Sequence, residues 1–413
     1  MRVAEEPVLT ERAHAASPLR GLFAPAYADF WRLWSVGMVV FIVRWLETVA
    51  VAVFVYERTN SAFLVAMMTM LRLLPMGLLG AFLGAWAERL DRRWTLIGVV
   101  ALMGVISLVL AVLAQSGRLE VWHLAVASFV NGLGWATDNP VRRVMIGDSV
   151  GAERMGGAMS LDVGASNASR MFGPTLAGFL LVHAGIAGAF WFSLVLYAAA
   201  LYAAWSLRYR NPDRATSGPI LARIREGLRL AAADRRLAGT LLVTVIFNVF
   251  GWPFTSMIPV IGRDQLSLGP EGVGILTSMD GIGAFLGAAM VAMAARPAWY
   301  GRIYCWGTVV YMTLIIAFAL TPLTVPAGTL LVGTGIAQAC FATMQTTLVY
   351  LAAPPDMRSR LLGVLSVCIG TAPLGFLWLG LLADAIGAHY ATAATGLMGL
   401  AAMALSWRWW RTI

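Results

Sequence analysis

The stretch FIVRWLETVAVAVFVY, beginning at Phe41, is apolar enough to cross a bilayer yet carries Arg44 and Glu47. Three residues apart on a helix, the two share a face and can pair. A central membrane charge costs roughly 2.5–3.5 kcal/mol on insertion scales, so it marks a function by default. Two readings stand: a charged pair in a water-filled cavity, or a lock inside a helix bundle. Arg72 and Arg170 fall at similar depth in later apolar runs. Arg44 itself lies about eleven residues into its run, roughly 16 Å at the helical rise. Asp138, in ATDNPVRRV, and Asp280, in TSMDGIG, have the chemistry of proton carriers. Asp138 has a second reading, as partner of Arg142 or Arg143, and Asp162 reads as the solvated start of a helix. A carboxylate beside an arginine stays ionised, and one whose arginine is drawn away takes up a proton more readily. Three arginines against one nearby carboxylate make a positive site, and guanidinium forks suit carboxylates, phosphates and catecholates. Trp135, Trp252, Phe250, Asn248 and Gln345 are candidates for its walls.

The elements that must hold these charges are membrane helices. The chain has 413 residues, 59% hydrophobic and 12% charged, roughly half the charged share of a soluble protein. Apolar runs of spanning length recur about twelve times, which predicts an all-α polytopic membrane protein. All 30 basic residues are arginine, which excludes a P-loop ATPase and Schiff-base catalysis. Cys305, Cys340 and Cys368 show no metal or disulfide spacing, and the four histidines are scattered, so no metal site is expected. H-E-x-x-H is missing, and no paired intramembrane aspartates of a protease-like motif occur, which argues against a membrane-embedded enzyme. Residues 1–30 have no apolar signal-peptide core, so the first span is expected to direct insertion.

Arginine placement orients the spans. With both termini cytoplasmic, 24 arginines fall in cytoplasmic segments and adjoining span ends, three outside (Arg58, Arg118, Arg263) and three deep within spans. That is a positive-inside pattern, so the net charge of +9 reflects topology and attraction to anionic lipid, with no nucleic-acid partner. The polar stretch from Arg208 to Arg236 divides the spans six and six. Expected units are an N-terminal segment 1–32, bundles 33–207 and 239–413, and a linker 208–238 whose residues 219–234 form an amphipathic surface helix. The hexapeptide GAFLGA occurs at 80–85 and again at 283–288, in the second and eighth spans. Its recurrence at equivalent places predicts two pseudo-symmetric halves, a transporter plan that rocks about a midplane site.

Between the second and third spans runs GAWAERLDRRW, residues 84–94. Gly84, Glu88, Arg89, Arg92 and Arg93 resemble the cytoplasmic loop motif of the major facilitator superfamily, with Asp91 where many members have a second glycine. The resemblance implies a latch between the halves on the cytoplasmic side. Ser160, Ser169, Gly173, Pro174, Ala177 and Gly178 resemble the superfamily's antiporter motif in residue size, with Pro174 expected to kink the span. Asn131–Gly132 resembles the Gln-Gly pair of its drug antiporters, with Ser128 in place of their arginine. The segments LRLLPMGLLGAFLGAWAERLDRR and MSLDVGASNASRMFGPTLAGFLL are similar to the bacterial efflux branch that includes enterobactin exporters and macrolide-efflux-like proteins. This implies a multi-pass protein of the bacterial inner membrane, acting as a monomer without a cofactor. It implies alternating-access export of a small anionic or amphipathic compound in exchange for protons. An importer or uncoupled facilitator of the same fold is the alternative.

Overall fold

The computed structural model describes residues 27–89, 91–151, 154–209, 229, 234–354, 357–411 and 413, without the side chains of 80–89 and 358–360. The secondary structure described is helical throughout. The helices are α1 (Ala28–Thr59), α2 (Ala62–Arg89), α3 (Arg92–Gln115), α4 (Val121–Val150) and α5 (Met155–Trp205) in the first half. The second half has α6 (Arg235–Ile246), α7 (Ile258–Asp264), α8 (Pro270–Ala294), α9 (Tyr300–Leu320), α10 (Thr324–Ala352), α11 (Arg358–Ile369), α12 (Ala372–Ile386), α13 (Ala388–Leu405) and α14 (Trp407–Trp410).

Nine described stretches are long and apolar enough to cross a membrane. One of them, α5, has 51 residues and is two crossings, broken at Gly185 with φ 64° and ψ −173°. That φ is left-handed and suits a residue without a Cβ. Helical dihedrals continue through Pro174, so the interruption falls at this glycine and not at the proline. With α4 and α13 the described crossings number twelve, and the chain is an all-α polytopic membrane protein. An even number of crossings returns residues 27 and 413 to one end of the molecule, called here the terminal end.

The seventh crossing is the most irregular. α6 gives way to a π segment at Phe247–Gly251 and a 3-10 turn at Trp252–Ser256 before α7 resumes. Such interruptions favour functional positions because they re-aim side chains and free backbone groups. The crossing α11–α12 is likewise interrupted, at Gly370–Thr371.

Each half has its own core. Phe30, Leu33, Leu96, Val100, Met145 and Tyr197 are buried together in the first. In the second, Phe247 stacks on Phe341 with ring centroids 3.7 Å apart. Small residues let backbones approach where dispersion, not the hydrophobic effect, holds helices together. Gly283 and Gly287, in the second GAFLGA, lie against the backbone of Val332 and Ile336 on α10. The first copy, at 80–85, has side chains outside the described residues.

Asp91, the departure from the loop motif, caps α3 by accepting from the Trp94 N–H at 3.0 Å. Arg92 donates to Asp148 of α4 at 3.0 Å and to the hydroxyl of Tyr209, just past α5, at 2.9 Å. Burial and the hydrogen bond to Asp148 raise the Tyr209 phenol, which therefore stays a donor. Arg93 donates to the Trp205 carbonyl at 2.7 Å. Gly84, Glu88 and Arg89 lie outside the described side chains. The amphipathic segment 219–234 lies outside the described residues apart from Arg229 and Asp234.

Candidate functional site

A cavity of about 710 Å³, open solvent at its mouth included, lies between the halves. Arg44, Arg72 and Arg170 line it from the first half, and Asp280, Trp252, Thr255 and Ser256 from the second. The broken seventh crossing supplies the last three. Four of the six charged residues singled out within the spans, Arg44, Arg72, Arg170 and Asp280, thus share one cavity.

The pairing differs from the expected one. Arg44 and Glu47 do not pair. Three residues apart, the two side chains diverge by about 60° around the helix axis, and that offset turns Glu47 into the first half and leaves Arg44 in the cleft. Glu47, 2% exposed, lies 3.7 Å from Arg72. It accepts from Ser107 of α3 at 2.9 Å and from Asn131 of α4 at 3.1 Å. Arg72 reaches back to α1, donating to Thr48 Oγ1 at 2.6 Å and the Arg44 carbonyl at 2.9 Å. Gly132 permits this arrangement: a Cβ there would strike the Arg72 backbone, so α2 and α4 touch and Asn131 reaches Glu47. The pair matched to Gln-Gly in the drug antiporters therefore holds a carboxylate, and Arg72 on α2 supplies the neighbouring cation.

Arg44 has no carboxylate within ion-pair distance among the described residues. Its guanidinium sits 3.7 Å from the Trp135 ring centroid and 5.9 Å from that of Trp45, cation–π contacts that hold it without neutralising it. Arg170 pairs across the cleft with Asp280 and donates to Gln338 of α10. Asp280 also accepts from Thr334 at 3.2 Å.

Asp138 is not among the residues lining the cavity. It is fully buried in the first half, 3.5 Å from Arg142, which matches its second reading. Asp162 is no solvated helix start: it is 1% exposed and bound by both Arg142 and Arg143. Asn248 and Gln345 face inward in the second half, bonded to Thr244, and are not cavity walls. Phe250 packs beside Gly399. Trp252 is a wall residue, and Trp135 acts by stacking on Arg44. Ser107, Thr48, Gln338 and Thr334 were not signalled by the sequence, because a lone hydroxyl or amide in an apolar run looks like packing until its partner is known.

The small residues of the fifth crossing pack rather than bind. Gly173 lies against Trp45 of α1, and Gly178 against Pro270 and Glu271 of α8. Ala177 and Pro174 are buried, Ser169 is fully buried and donates to the Ser166 carbonyl at 2.7 Å, and exposed Ser160 donates to the Gly156 carbonyl at 2.9 Å. Gly274 and Gly281 of α8 meet Pro174 and Arg170 of α5 in return, and Thr175 bonds Ser278 across the same seam at 2.8 Å. At the end far from the termini the halves are tied again. Tyr56 donates to Asp264, Glu57 pairs with Arg263 at 2.7 Å, and Asp384 accepts from Ser61 and the Phe63 N–H at 2.9 Å each.

Comparison with known proteins matches this architecture. Residues 20–410 fit the family model described as transmembrane secretion effector. Macrolide efflux protein A of Streptococcus pyogenes is 20% identical over 377 residues, covering 87% of this chain and 91% of that protein. The staphyloferrin A transporter of Staphylococcus aureus is 21% identical over 61% of this chain and 64% of its own. In fold, the chain superposes on a bacterial homologue of the human lysosomal transporter Spinster, inward-facing and unoccupied, with TM-score 0.73 at 17% identity, over 94% of this chain and 97% of that one. A POT family transporter in complex with 5-aminolevulinic acid gives TM-score 0.75 at 12% identity, over 93% and 96%. The chain is a transporter, not an enzyme, and belongs to the transmembrane secretion effector family of the major facilitator superfamily.

Proposed function

We propose that the chain exports a small amphipathic organic compound bearing an acidic group, in exchange for protons, by alternating access of its two halves. What supports this most is the charge arrangement of the cavity. Arg72 and Arg170 each have a carboxylate, whereas Arg44 is a half-buried cation with aromatic faces beside it and no acid to displace among the described residues. An acidic group of the cargo docks on Arg44 with its apolar body along Trp45, Trp252 and Phe376.

Export against protons then follows from the sign of one interaction. A hydroxyl or ammonium group of the cargo that donates to Asp280 holds it ionised, so cargo and proton exclude each other. A cargo that instead drew Arg170 away from Asp280 would favour its protonation, and cargo and proton would travel together. The Arg170–Asp280 pair makes this second arrangement, an importer, the specific rival; an uncoupled facilitator would show neither linkage.

The arginine distribution supports a cytoplasmic terminal end, in a bacterial inner membrane. The ties of Tyr56, Glu57 and Ser61 to the second half then close the outer side of the cleft. No cofactor is required, since a gradient supplies the energy, and one chain contains the whole path.

The experiment is a thermal-shift screen of acid-bearing amphiphiles on solubilised protein, followed by transport of the best ligand in proteoliposomes under an imposed pH gradient. Accumulation on the acidic side, lost in Asp280→Asn while downhill flux persists, is the expected result. Flux in the same direction as the proton flow establishes the importer, and flux indifferent to the gradient establishes the facilitator.

A further inference from the structure

The ion pair that joins the halves is made through a single nitrogen. Arg170 gives Nη2 both to Asp280 Oδ2 on α8 and to Gln338 Oε1 on α10. Its Nε is buried and has no hydrogen-bond partner among the described residues. A guanidinium and a carboxylate bind most strongly as a fork, two parallel N–H groups against two oxygens. Here the fork is not formed. Asp280 meets one nitrogen, and its other oxygen, Oδ1, is engaged by Thr334 of α10 at 3.2 Å.

The packing of α10 brings both neutral groups to the pair. A Cβ on Gly335 would strike the Asp280 carbonyl and the Ala284 nitrogen, so the backbones of α8 and α10 touch at the level of Asp280. Thr334 and Gln338, one helical turn apart, share a face of α10 beside that contact. No residue of α10 is charged, so the helix offers the pair one hydroxyl and one amide.

The other groups around the pair leave the guanidinium free to turn. Arg44 of α1 lies within electrostatic reach of Arg170, and the buried phenol of Tyr311 on α9 within reach of both Arg170 and Asp280. Glu271, the second acid of α8, sits in the first turn of that helix. Trp45 of α1 places its ring 5.3 Å from the Arg170 guanidinium. A ring face does not fix rotation in the guanidinium plane, whereas the Gln338 oxygen does.

We propose that Gln338 is a positioning residue that holds Arg170 off the full fork and so keeps the Arg170–Asp280 pair exchangeable. With the amide in place, Nη2 is shared between two oxygens and Nε has none. Without it, the guanidinium turns to present Nε and Nη2 together to the carboxylate. A forked pair would hold Asp280 ionised and the halves joined against both proton and cargo. The use made of the weakened pair rests on the reading of Asp280 as the group where proton and cargo compete. The position of Arg170 does not.

The test takes two readouts from the full chain in detergent. With isotope-labelled arginine, NMR follows the Nε–H of Arg170, assigned by its loss in Arg170→Lys. That signal moves to lower field in Gln338→Leu as it gains an oxygen of Asp280, and adding Asp280→Ala undoes the move. Gln338→Asn, polar but one methylene too short to reach Arg170, gives the same move and serves if the leucine variant fails to fold. The second readout is infrared titration of the protonated-carboxyl band that Asp280→Asn lacks. In Gln338→Leu and Gln338→Asn the band needs at least about threefold more protons to reach half height, the worth of one hydrogen bond. In Gln338→Glu, whose carboxylate competes for Arg170, it needs fewer. A purely structural amide would change the melting temperature and neither readout. An Nε–H that stays put in both Gln338→Leu and Gln338→Asn, or a band that rises with fewer protons in them, overturns the proposal. A wild type with no such band at any pH the fold survives, the Nε–H move being intact, overturns instead the reading of Asp280 as a proton carrier and leaves the role of Gln338 standing.

Discussion

Arg170 of the fifth crossing and Asp280 of the eighth form an ion pair across the cleft, joining a cation of one half to an acid of the other. Gln338 shares the same guanidinium and Thr334 the same carboxylate, so the second half grips Arg170 through two helices. Any rocking of the halves must lengthen or carry this contact. On the proposed function, cargo, proton and domain motion meet at this contact.

On the proposed function, Arg44 anchors the acidic group of the cargo. Arg44→Ala weakens binding of an acid-bearing ligand by about ten- to a hundredfold, the worth of a hydrogen bond to a charged group at roughly 1.5–3 kcal/mol. Arg44→Lys recovers only part of it, because a point charge does not reproduce the planar fork lying on Trp135. Isothermal titration with the ligand and with its methyl ester checks this: the ester binds wild type and Arg44→Ala alike.

Glu47 holds Arg72 in place. Glu47→Ala leaves a buried guanidinium without its acid and costs about 3 kcal/mol of stability. Glu47→Gln keeps an acceptor for Asn131 and costs less. Thermal melting of the two variants in the same detergent gives the order. Equal melting temperatures would show that Arg72 finds water from the cavity as easily as it finds Glu47.

The seam between the fifth and eighth crossings needs Gly281. A Cβ there meets the Arg170 backbone, so Gly281→Val pushes the halves apart at the level of the Arg170–Asp280 pair. Overpacking of this kind costs about 1–3 kcal/mol, here paid by the closed seam alone. Cysteines placed at Thr175 and Ser278 form a disulfide in the parent and fail to do so in Gly281→Val.

Asp384 caps α2 from the other half. It accepts the Phe63 N–H and the Ser61 hydroxyl, so Asp384→Ala removes a helix cap worth about 1 kcal/mol. It removes it only from the conformation closed at the far end. A cysteine at Thr69, on the cavity wall, is labelled faster from the far side in Asp384→Ala than in the parent. Equal labelling counts against a gating role for this contact.

Composition and apolar run length made the twelve crossings legible, and residue size marked Gly173 and Gly178 as points of close approach. Depth along the run marked Arg44, Arg72 and Arg170 as one layer. What the sequence could not carry was partner choice. Glu47 is three residues from Arg44 and far along the chain from Arg72, Ser107 and Asn131, yet it binds the distant three. Helical rotation sends Glu47 into the bundle, and the bundle's packing is not written in local spacing. By position alone, Asp138 reads as a proton carrier or a partner of Arg142 or Arg143, and Asp162 as the solvated start of a helix. Only the fold shows that Asp162 takes both arginines while Asp138 lies at 3.5 Å from Arg142 alone. The superfamily's latch motif is legible as a motif, but the contacts of Arg92 with Asp148 and Tyr209 are ones that no spacing rule would select.

The central claim is that proton and cargo exclude each other at Asp280. The most direct measurement is the pH change when the ligand found by thermal shift is added to solubilised protein in weak buffer. Export in exchange for protons predicts proton release on binding by wild type and none by Asp280→Asn. Proton uptake by wild type, or release undiminished in Asp280→Asn, would contradict it.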